Sequence, residues 1–179
     1  GVAAVVWSDW GAFKLESYDA TNYNARLLME AGVVTALHSD DAEISTRLNW
    51  EAGKLLRSGV EEVAALQTVT INAARAIAID SRVGSLEAGK DADFVIWNGN
   101  PLSQFTRAEQ TWVDGRRYFS LEEDAQLRTE FLETVWYEAR RAGLEPALVL
   151  GLIQVESAYR KYAVALAGAR GYMQVMPFW

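Results

Sequence analysis

The sequence predicts a mixed α/β segment followed by an all-α segment. Two apolar runs rich in β-branched residues, at 2–7 and 33–38, flank a helical stretch, which favours a parallel βαβ unit. A turn-rich passage with a hairpin follows, and from Ser120 onward the periodicity becomes helical. The change of pattern after Phe119 therefore places two structural classes on one chain.

The first predicted elements are a strand, a helix and a second strand. Residues 2–7 are apolar without alternation, as expected of a buried strand in a parallel sheet. The helix is expected to begin at a Thr21 cap, to place Leu27 on its apolar face and to end at Gly32. The second strand then covers residues 33–38.

Three short alanine-rich helices are predicted next, at residues 46–58, 60–68 and 70–78. Ser58-Gly59 separates the first two, and Thr70 is expected to cap the third. A strand is predicted at residues 94–97, followed by a hairpin whose turn is Asp114-Gly115.

The helical segment is predicted to hold two helices. The first begins after a Ser120 cap, with acidic residues in its first turn where the helix dipole favours them, and ends at Gly143. The second begins at Pro146 and reaches Ser157, since proline is well tolerated at the first helical position.

Composition excludes several classes of protein. The net charge is −7 and no basic stripe is present, so nucleic acid is not an expected partner. No run of about 20 apolar residues occurs, so we expect no membrane span. The absence of cysteine excludes disulfides, thiolate metal sites and a cysteine nucleophile. Because the first residue is Gly1, we expect a fragment or a processed product.

A candidate catalytic carboxylate, Asp40, follows the second predicted strand. The carboxyl end of a parallel strand is a recurrent catalytic position in β/α barrels, and His38 lies two residues earlier on the same strand face. His38 is the only histidine, whereas a metal site usually needs three or four ligands. Two interpretations stay open: a metal-binding Asp40, and a loop aspartate that caps the helix beginning near Thr46, with the cap favoured.

Several strings in this segment carry a family resemblance. They are HSDD (38–41), LNWEA (48–52), TINAARAIAI (70–79), RVGSLEAGKDADFVIWNGNPL (82–102) and WVDGRRYF (112–119). Together they resemble the C-terminal part of a metal-dependent amidohydrolase, in the branch near imidazolonepropionase-like enzymes. Within residues 1–128, the resemblance implies the last strands and helices of a β/α barrel over 1–80 and β-sandwich strands over 81–119.

The same resemblance implies a role for Asp40. In the intact enzyme it binds a divalent metal, expected to be zinc, and acts as general base when water attacks a small-molecule amide or cyclic amide. The family's other metal ligands, mostly histidines of earlier strands, have no counterpart in this sequence. We therefore expect this part to retain no metal and to be inactive alone.

A second candidate, Glu156, ends the apolar helix that begins at Pro146. Burial beside apolar side chains would raise its pKa and suit it to general acid catalysis. The alternative, a solvent-exposed glutamate at a helix end, is equally favoured by the pattern.

Three strings around Glu156 carry a second resemblance: PALVLG (146–151), ES (156–157) and GARGYMQVMP (168–177). They resemble the N-terminal half of a soluble, lysozyme-like lytic transglycosylase domain. Residues 129–179 would then form a truncated lysozyme-like helical domain whose substrate is the peptidoglycan glycan strand.

This second resemblance implies a mechanism without metal or cofactor. Glu156 is the single catalytic acid and base, and the sugar's own 6-hydroxyl closes a 1,6-anhydro ring without water. Ser157, Met173 and Gln174 fall at positions that line the family's cleft. Gly168 and Gly171 supply the turn expected to bring Gln174 near Glu156.

The two resemblances meet near Arg128 without a linker rich in Gly, Pro or Ser. We therefore expect a fusion of two truncated enzyme domains, with a catalytically inactive fusion product or chimera as the alternative, which we favour for the behaviour of the chain. If the transglycosylase part governs location, the protein belongs to the bacterial cell envelope or periplasm.

Overall fold

The computed structural model describes residues 2–9, 11, 14–160, 163–165 and 169–174. The chain divides into two compact units, Gly1–Leu121 and Glu122–Trp179. The first unit mixes strands and helices and the second is mainly helical, which confirms the predicted change of class. The predicted domain boundary between residues 128 and 129 stays a prediction.

In the first unit, strands and helices occur together up to residue 76, and only strands follow from residue 94 to residue 120. In order they are β1 (Ala3–Val6), α1 (Asn24–Glu30), β2 (Val34–Leu37), α2 (Leu48–Lys54), α3 (Glu62–Gln67), α4 (Ile71–Ala76), β3 (Phe94–Trp97), β4 (Ala108–Val113) and β5 (Arg116–Ser120). Short 3-10 helices cover Leu15–Ser17, Ile44–Arg47 and Leu55–Ser58.

Strands β1 and β2 pair in parallel, with Ala3 opposite Val34 and Val6 opposite Leu37, as the predicted βαβ unit requires. The expected burial of β1 is wrong, because Val5 is 52% exposed and no residue of the strand is fully buried. Within the described residues this sheet consists of β1 and β2, and helices α1 and α4 contact β2 more extensively than β1.

Strand β2 is the buried one, and its second edge is closed by side-chain and backbone groups. Thr35, Ala36 and Leu37 are all nearly inaccessible to solvent. The N–H of Leu37 donates to the carbonyl of Thr68 at 3.1 Å, and Asn72 Nδ2 donates to the carbonyl of Thr35 at 3.0 Å. The segment joining α3 to α4 therefore takes the place of a neighbouring strand.

Helix α1 is shorter than predicted and buries a different residue. It begins at Asn24, because Thr21 forms a turn that accepts the N–H groups of Tyr23 and Asn24. Gly32, with φ 75°, ends the helix as predicted. Leu27 is 53% exposed, however, and the small Ala25 is the residue that packs fully inside.

The second sheet follows the predicted hairpin. Strands β3, β4 and β5 are antiparallel, and the turn residues Asp114 and Gly115 have φ values of 50° and 71°, as an Asp-Gly hairpin turn requires. Phe94 and Trp112 face each other across β3 and β4, with stacked rings 5.5 Å apart.

Two helices, α5 (Leu121–Arg141) and α6 (Pro146–Ser157), form the helical part and match the predicted pair. Gly143, with φ 72°, lies just after the end of α5, and Pro146 lies in the first turn of α6. Among the described residues, no helix combines the length and apolar character needed to cross a membrane.

Replacement of Asn72 by leucine should lower the free energy of unfolding by about 1–3 kcal/mol, because it leaves the buried Thr35 carbonyl without its donor. Urea denaturation followed by tryptophan fluorescence measures this change. Gln67→Leu, at an exposed position of α3, is the matched control and should change stability little. Equal effects of the two substitutions would contradict the edge-closing role of Asn72.

Candidate functional site

His38 lies where the parallel strands end together. Its backbone N–H donates to the carbonyl of Val6 at 3.1 Å, which extends the strand pairing by one bond. Its half-buried ring lies 5.4 Å from the Trp7 ring at a tilt of 36°. The carboxyl ends of β1 and β2 thus form one small platform, the edge where catalytic groups of parallel sheets gather.

Asp40 occupies an exposed bend after this platform, with φ 51°. Aspartate tolerates this left-handed region better than most residues. The interpretation of Asp40 as a helix cap is wrong, because the capping carboxylate is Asp41. Its Oδ1 accepts the N–H groups of Glu43 and Ile44, both at 2.8 Å, at the start of the 3-10 helix. Asp40 is therefore left exposed beside the strand ends.

The platform does not by itself assemble a metal centre. Over the described residues, no group of three histidine, aspartate or glutamate side chains is close enough to hold an ion. The predicted role of Asp40 as a metal ligand and general base consequently stays a prediction.

A buried polar network, which the sequence did not predict, lies at the carboxyl end of β1. Ser8, just after β1, is 2% exposed and donates its hydroxyl to Glu51 Oε2 at 2.5 Å. Lys54 Nζ lies 2.9 Å from Glu51 Oε1 and 3.0 Å from Asp9 Oδ1. Arg57 Nη2 forms the last ion pair of the network, at 2.8 Å from Asp9 Oδ2.

The carboxylates of this network favour the charged form of Lys54. Burial alone would lower the pKa of Lys54, but its hydrogen bonds to Glu51 and Asp9, and their negative charges, raise that pKa above its ordinary value. A cavity of about 190 Å³ opens beside Lys54 and Arg57. The spacing of Glu51 and Lys54 on α2 was the only signal in the sequence, since Ser8 lies 43 residues away.

In the second unit, the predicted catalytic and cleft residues have contrasting environments. Glu156 is exposed at the end of α6, whereas the neighbouring Ser157 is 1% exposed and donates its hydroxyl to the Ile153 carbonyl at 3.1 Å. The structure matches the exposed-glutamate alternative for Glu156. The Ser157 hydroxyl is already hydrogen-bonded to the helix backbone.

The loop after α6 holds the other two predicted cleft residues. Met173 is 40% exposed. Gln174 has φ 49° and donates its side-chain amide to the carbonyls of Gly171 and Ala163 at 2.7 and 3.2 Å. Among the described residues, Gln174 thus bonds to its own loop and not to Glu156. Gly171 forms a turn with φ 79°, and Gly168 lies outside the described residues.

A groove of about 860 Å³ runs along α5, and sequence reasoning missed it. Phe131 lines it, with its ring stacked on Tyr172 at 4.2 Å and edge-on to Tyr159 at 6.4 Å. Arg128 and Arg160 line the same groove, whereas Glu156 does not.

Two family models match this chain. The amidohydrolase family matches residues 14–118, and the transglycosylase SLT domain matches residues 133–179. Both resemblances proposed from the sequence motifs are thereby confirmed.

Curated relatives divide between the same two families. Amidohydrolase tasK of Hapsidospora irregularis is 30% identical over 118 residues, or 65% of this chain and 12% of the relative. Imidazolonepropionase of Shewanella frigidimarina is 62% identical over 44 residues, or 25% of this chain and 11% of the relative. Membrane-bound lytic murein transglycosylase C of Actinobacillus pleuropneumoniae serotype 5b is 50% identical over 48 residues, or 27% of this chain and 13% of the relative.

One solved structure supports the fold of the first unit. The amidohydrolase from Thermotoga maritima MSB8 superposes with a TM-score of 0.57 and 34% identity, over 60% of this chain and 28% of that one. The chain therefore spans about an eighth of the length of its curated relatives and just over a quarter of the solved one.

Zinc titration should reveal no stoichiometric site on this chain, because His38 and Asp40 fall short of the three ligands that a stable zinc site needs. Elemental analysis after incubation with zinc and gel filtration gives the measurement, with Asp19→Asn as an exposed control. One zinc per chain that is lost in Asp40→Asn would contradict this expectation.

Proposed function

We propose that this chain, which belongs to the amidohydrolase family through residues 14–118, joins parts of two catalytic centres. The second part is the transglycosylase SLT domain of residues 133–179. The proposal assigns one principal carboxylate to each part: Asp40 to the amidohydrolase centre and Glu156 to the transglycosylase centre.

Glu156 is the proposed general acid and base for cleavage of the peptidoglycan glycan strand. The supporting observation is its position: the carboxylate is exposed at the carboxyl end of α6, directly before a buried serine and a left-handed residue, Ala158, with φ 49°. A rigid helix therefore presents the carboxylate to solvent, where a polymer can reach it. This half of the proposal requires no metal or cofactor.

Asp40 is the proposed ligand of a divalent metal, zinc, in the complete amidohydrolase. The donor set does not fit the ion by itself, since the described residues contain no group of three histidine, aspartate or glutamate side chains that could hold it. Asp40 would thus supply one ligand position in a centre whose substrate is a small-molecule amide or cyclic amide.

The finer architecture belongs to the same proposal. Strands β1 and β2, with α1 to α4, are the last elements of a β/α barrel, and β3 to β5 belong to its β-sandwich. Helices α5 and α6 belong to a lysozyme-like domain. The parallel pairing of β1 with β2, with strand-end residues at one edge, supports the barrel assignment.

Neither centre is proposed to turn over substrate on this chain alone. Glu156 is exposed, whereas a carboxylate that is to deliver a proton near neutral pH needs a desolvated pocket. The sequence holds a single histidine, which leaves the metal centre short of ligands. The chain is thus a fusion of catalytic parts, and its alternative description is an inactive fusion product.

A graft tests whether residues 133–179 carry a competent catalytic acid. We expect lytic transglycosylase C of Actinobacillus pleuropneumoniae to keep activity when its matching segment is replaced by these residues, because the two are 50% identical there. Glu156→Gln in the graft should abolish release of 1,6-anhydro products, measured by mass spectrometry of digested peptidoglycan. Glu145→Gln, at a helix cap without a side-chain hydrogen bond, should preserve it.

A graft that folds by circular dichroism but releases no product would overturn the role of Glu156. The ungrafted chain is expected to leave a peptidoglycan suspension turbid. Clearing of that suspension by the chain, abolished by Glu156→Gln, would instead show that the proposed incompleteness is wrong.

A further inference from the structure

Glu51 is a buried carboxylate to which neither catalytic assignment gives a role. Its side chain is 8% exposed, on the inner face of α2. Burial of a carboxylate is costly unless it is paired and hydrogen-bonded, and Glu51 has both kinds of partner. Ser8 donates to Oε2 at 2.5 Å, and Lys54 Nζ lies within 3.0 Å of both carboxylate oxygens.

The two partners place Glu51 between β1 and α2. Ser8 and Asp9 directly follow β1, and Lys54 ends α2 while it reaches across to Asp9 at 3.0 Å. Arg57 adds a second contact to Asp9 at 2.8 Å. Helix α2, which follows the Asp40 segment, is thus tied to the residues directly after β1.

The segment of residues 38–47, which carries Asp40, is held at both of its ends. At the first end the N–H of His38 donates to the Val6 carbonyl, and the His38 ring packs against Trp7. At the other end the segment runs directly into α2, where Glu51 bonds to Ser8, the neighbour of Trp7. Both attachments converge on three consecutive residues at the end of β1, Val6, Trp7 and Ser8.

We propose that Glu51 is a positioning residue, whose buried link to Ser8 fixes the Asp40 segment at the ends of the parallel strands. The inference rests on the proposed role of Asp40 for its functional meaning. The geometry itself requires only that breaking the link frees residues 38–47 while the rest of the unit keeps its fold.

A nucleophilic role for Ser8 does not fit the same cluster. The hydroxyl is nearly inaccessible and already donates to Glu51. Lys54, paired with two carboxylates, is held as a cation and therefore lacks the free electron pair that a general base needs.

Limited trypsin digestion measures the freedom of this segment, because Arg47 is exposed within it and Arg107 is exposed in the second sheet region. In Ser8→Ala, cleavage after Arg47 should accelerate about tenfold, the factor expected when a hydrogen bond to a charged group is removed. Cleavage after Arg107 should be unchanged. Glu51→Leu should accelerate the Arg47 site at least as much, and the double variant no more than Glu51→Leu alone.

Glu61→Leu, at an exposed helix-cap position without a side-chain hydrogen bond, serves as the control and should leave both cleavage rates unchanged. Equal acceleration at Arg47 and Arg107 would overturn the proposal, since it would mark a general loss of stability. Unchanged cleavage at both sites in Ser8→Ala would overturn it as well.

The single histidine offers a second readout, which is local to the end of the segment at His38 and is measured under conditions where circular dichroism shows the variant to be folded. In the proton NMR spectrum, the His38 ring signals should carry a ring-current shift from Trp7, and Ser8→Ala should move them toward random-coil values. Unmoved His38 signals would contradict the link. Neither readout needs metal or turnover, so failure of the proposed function and failure of this inference are distinguishable.

Discussion

The parallel pairing of β1 with β2 is the constraint on which the first unit depends. A two-stranded parallel sheet is not stable by itself, because each strand leaves an edge of unpaired backbone groups and two faces to cover. The first unit covers its two strands to different extents. Asn72 and the Thr68 carbonyl close the second edge of β2, whereas β1 keeps exposed apolar side chains. The better buried and more completely hydrogen-bonded strand of this sheet is therefore β2, which leads directly to Asp40.

Small residues in the core allow the short helices to pack closely against β2. The core around β2 contains Ala25, Ala52 and Ala65, all completely buried, together with the larger Leu55. Alanine brings helix and strand backbones close, so that the Asn72 side chain reaches the Thr35 carbonyl of β2 and Glu51 reaches Ser8, just after β1. The cost is modest apolar burial, since larger residues such as Leu27 and Val63 stay exposed.

Local chemistry made the elements predictable and left their partners unpredictable. Gly32, Gly59 and the Asp114-Gly115 turn all have the positive φ values that their places in the sequence required. The burial of Leu27 and β1 was predicted wrongly, because periodicity reports which face is apolar and not how much covers it. The Ser8–Glu51 link escaped prediction for a related reason: a contact between residues 43 positions apart leaves no local pattern.

The two candidate carboxylates share one physical situation. Asp40 and Glu156 are both exposed, and each lies at the end of a regular element where the backbone turns left-handed, at Asp40 itself and at Ala158. Ser157, the residue after Glu156, is buried and donates to its own helix, and Ser8, after β1, is buried and donates to Glu51. Buried polar contacts therefore order the scaffold, while both carboxylates stay exposed. Water screens charge, whereas electrostatic interactions at a catalytic group are stronger in a site from which most water has been excluded. Among the described residues, the surroundings of Asp40 and Glu156 thus leave both carboxylates without the enclosure from water that their proposed roles call for.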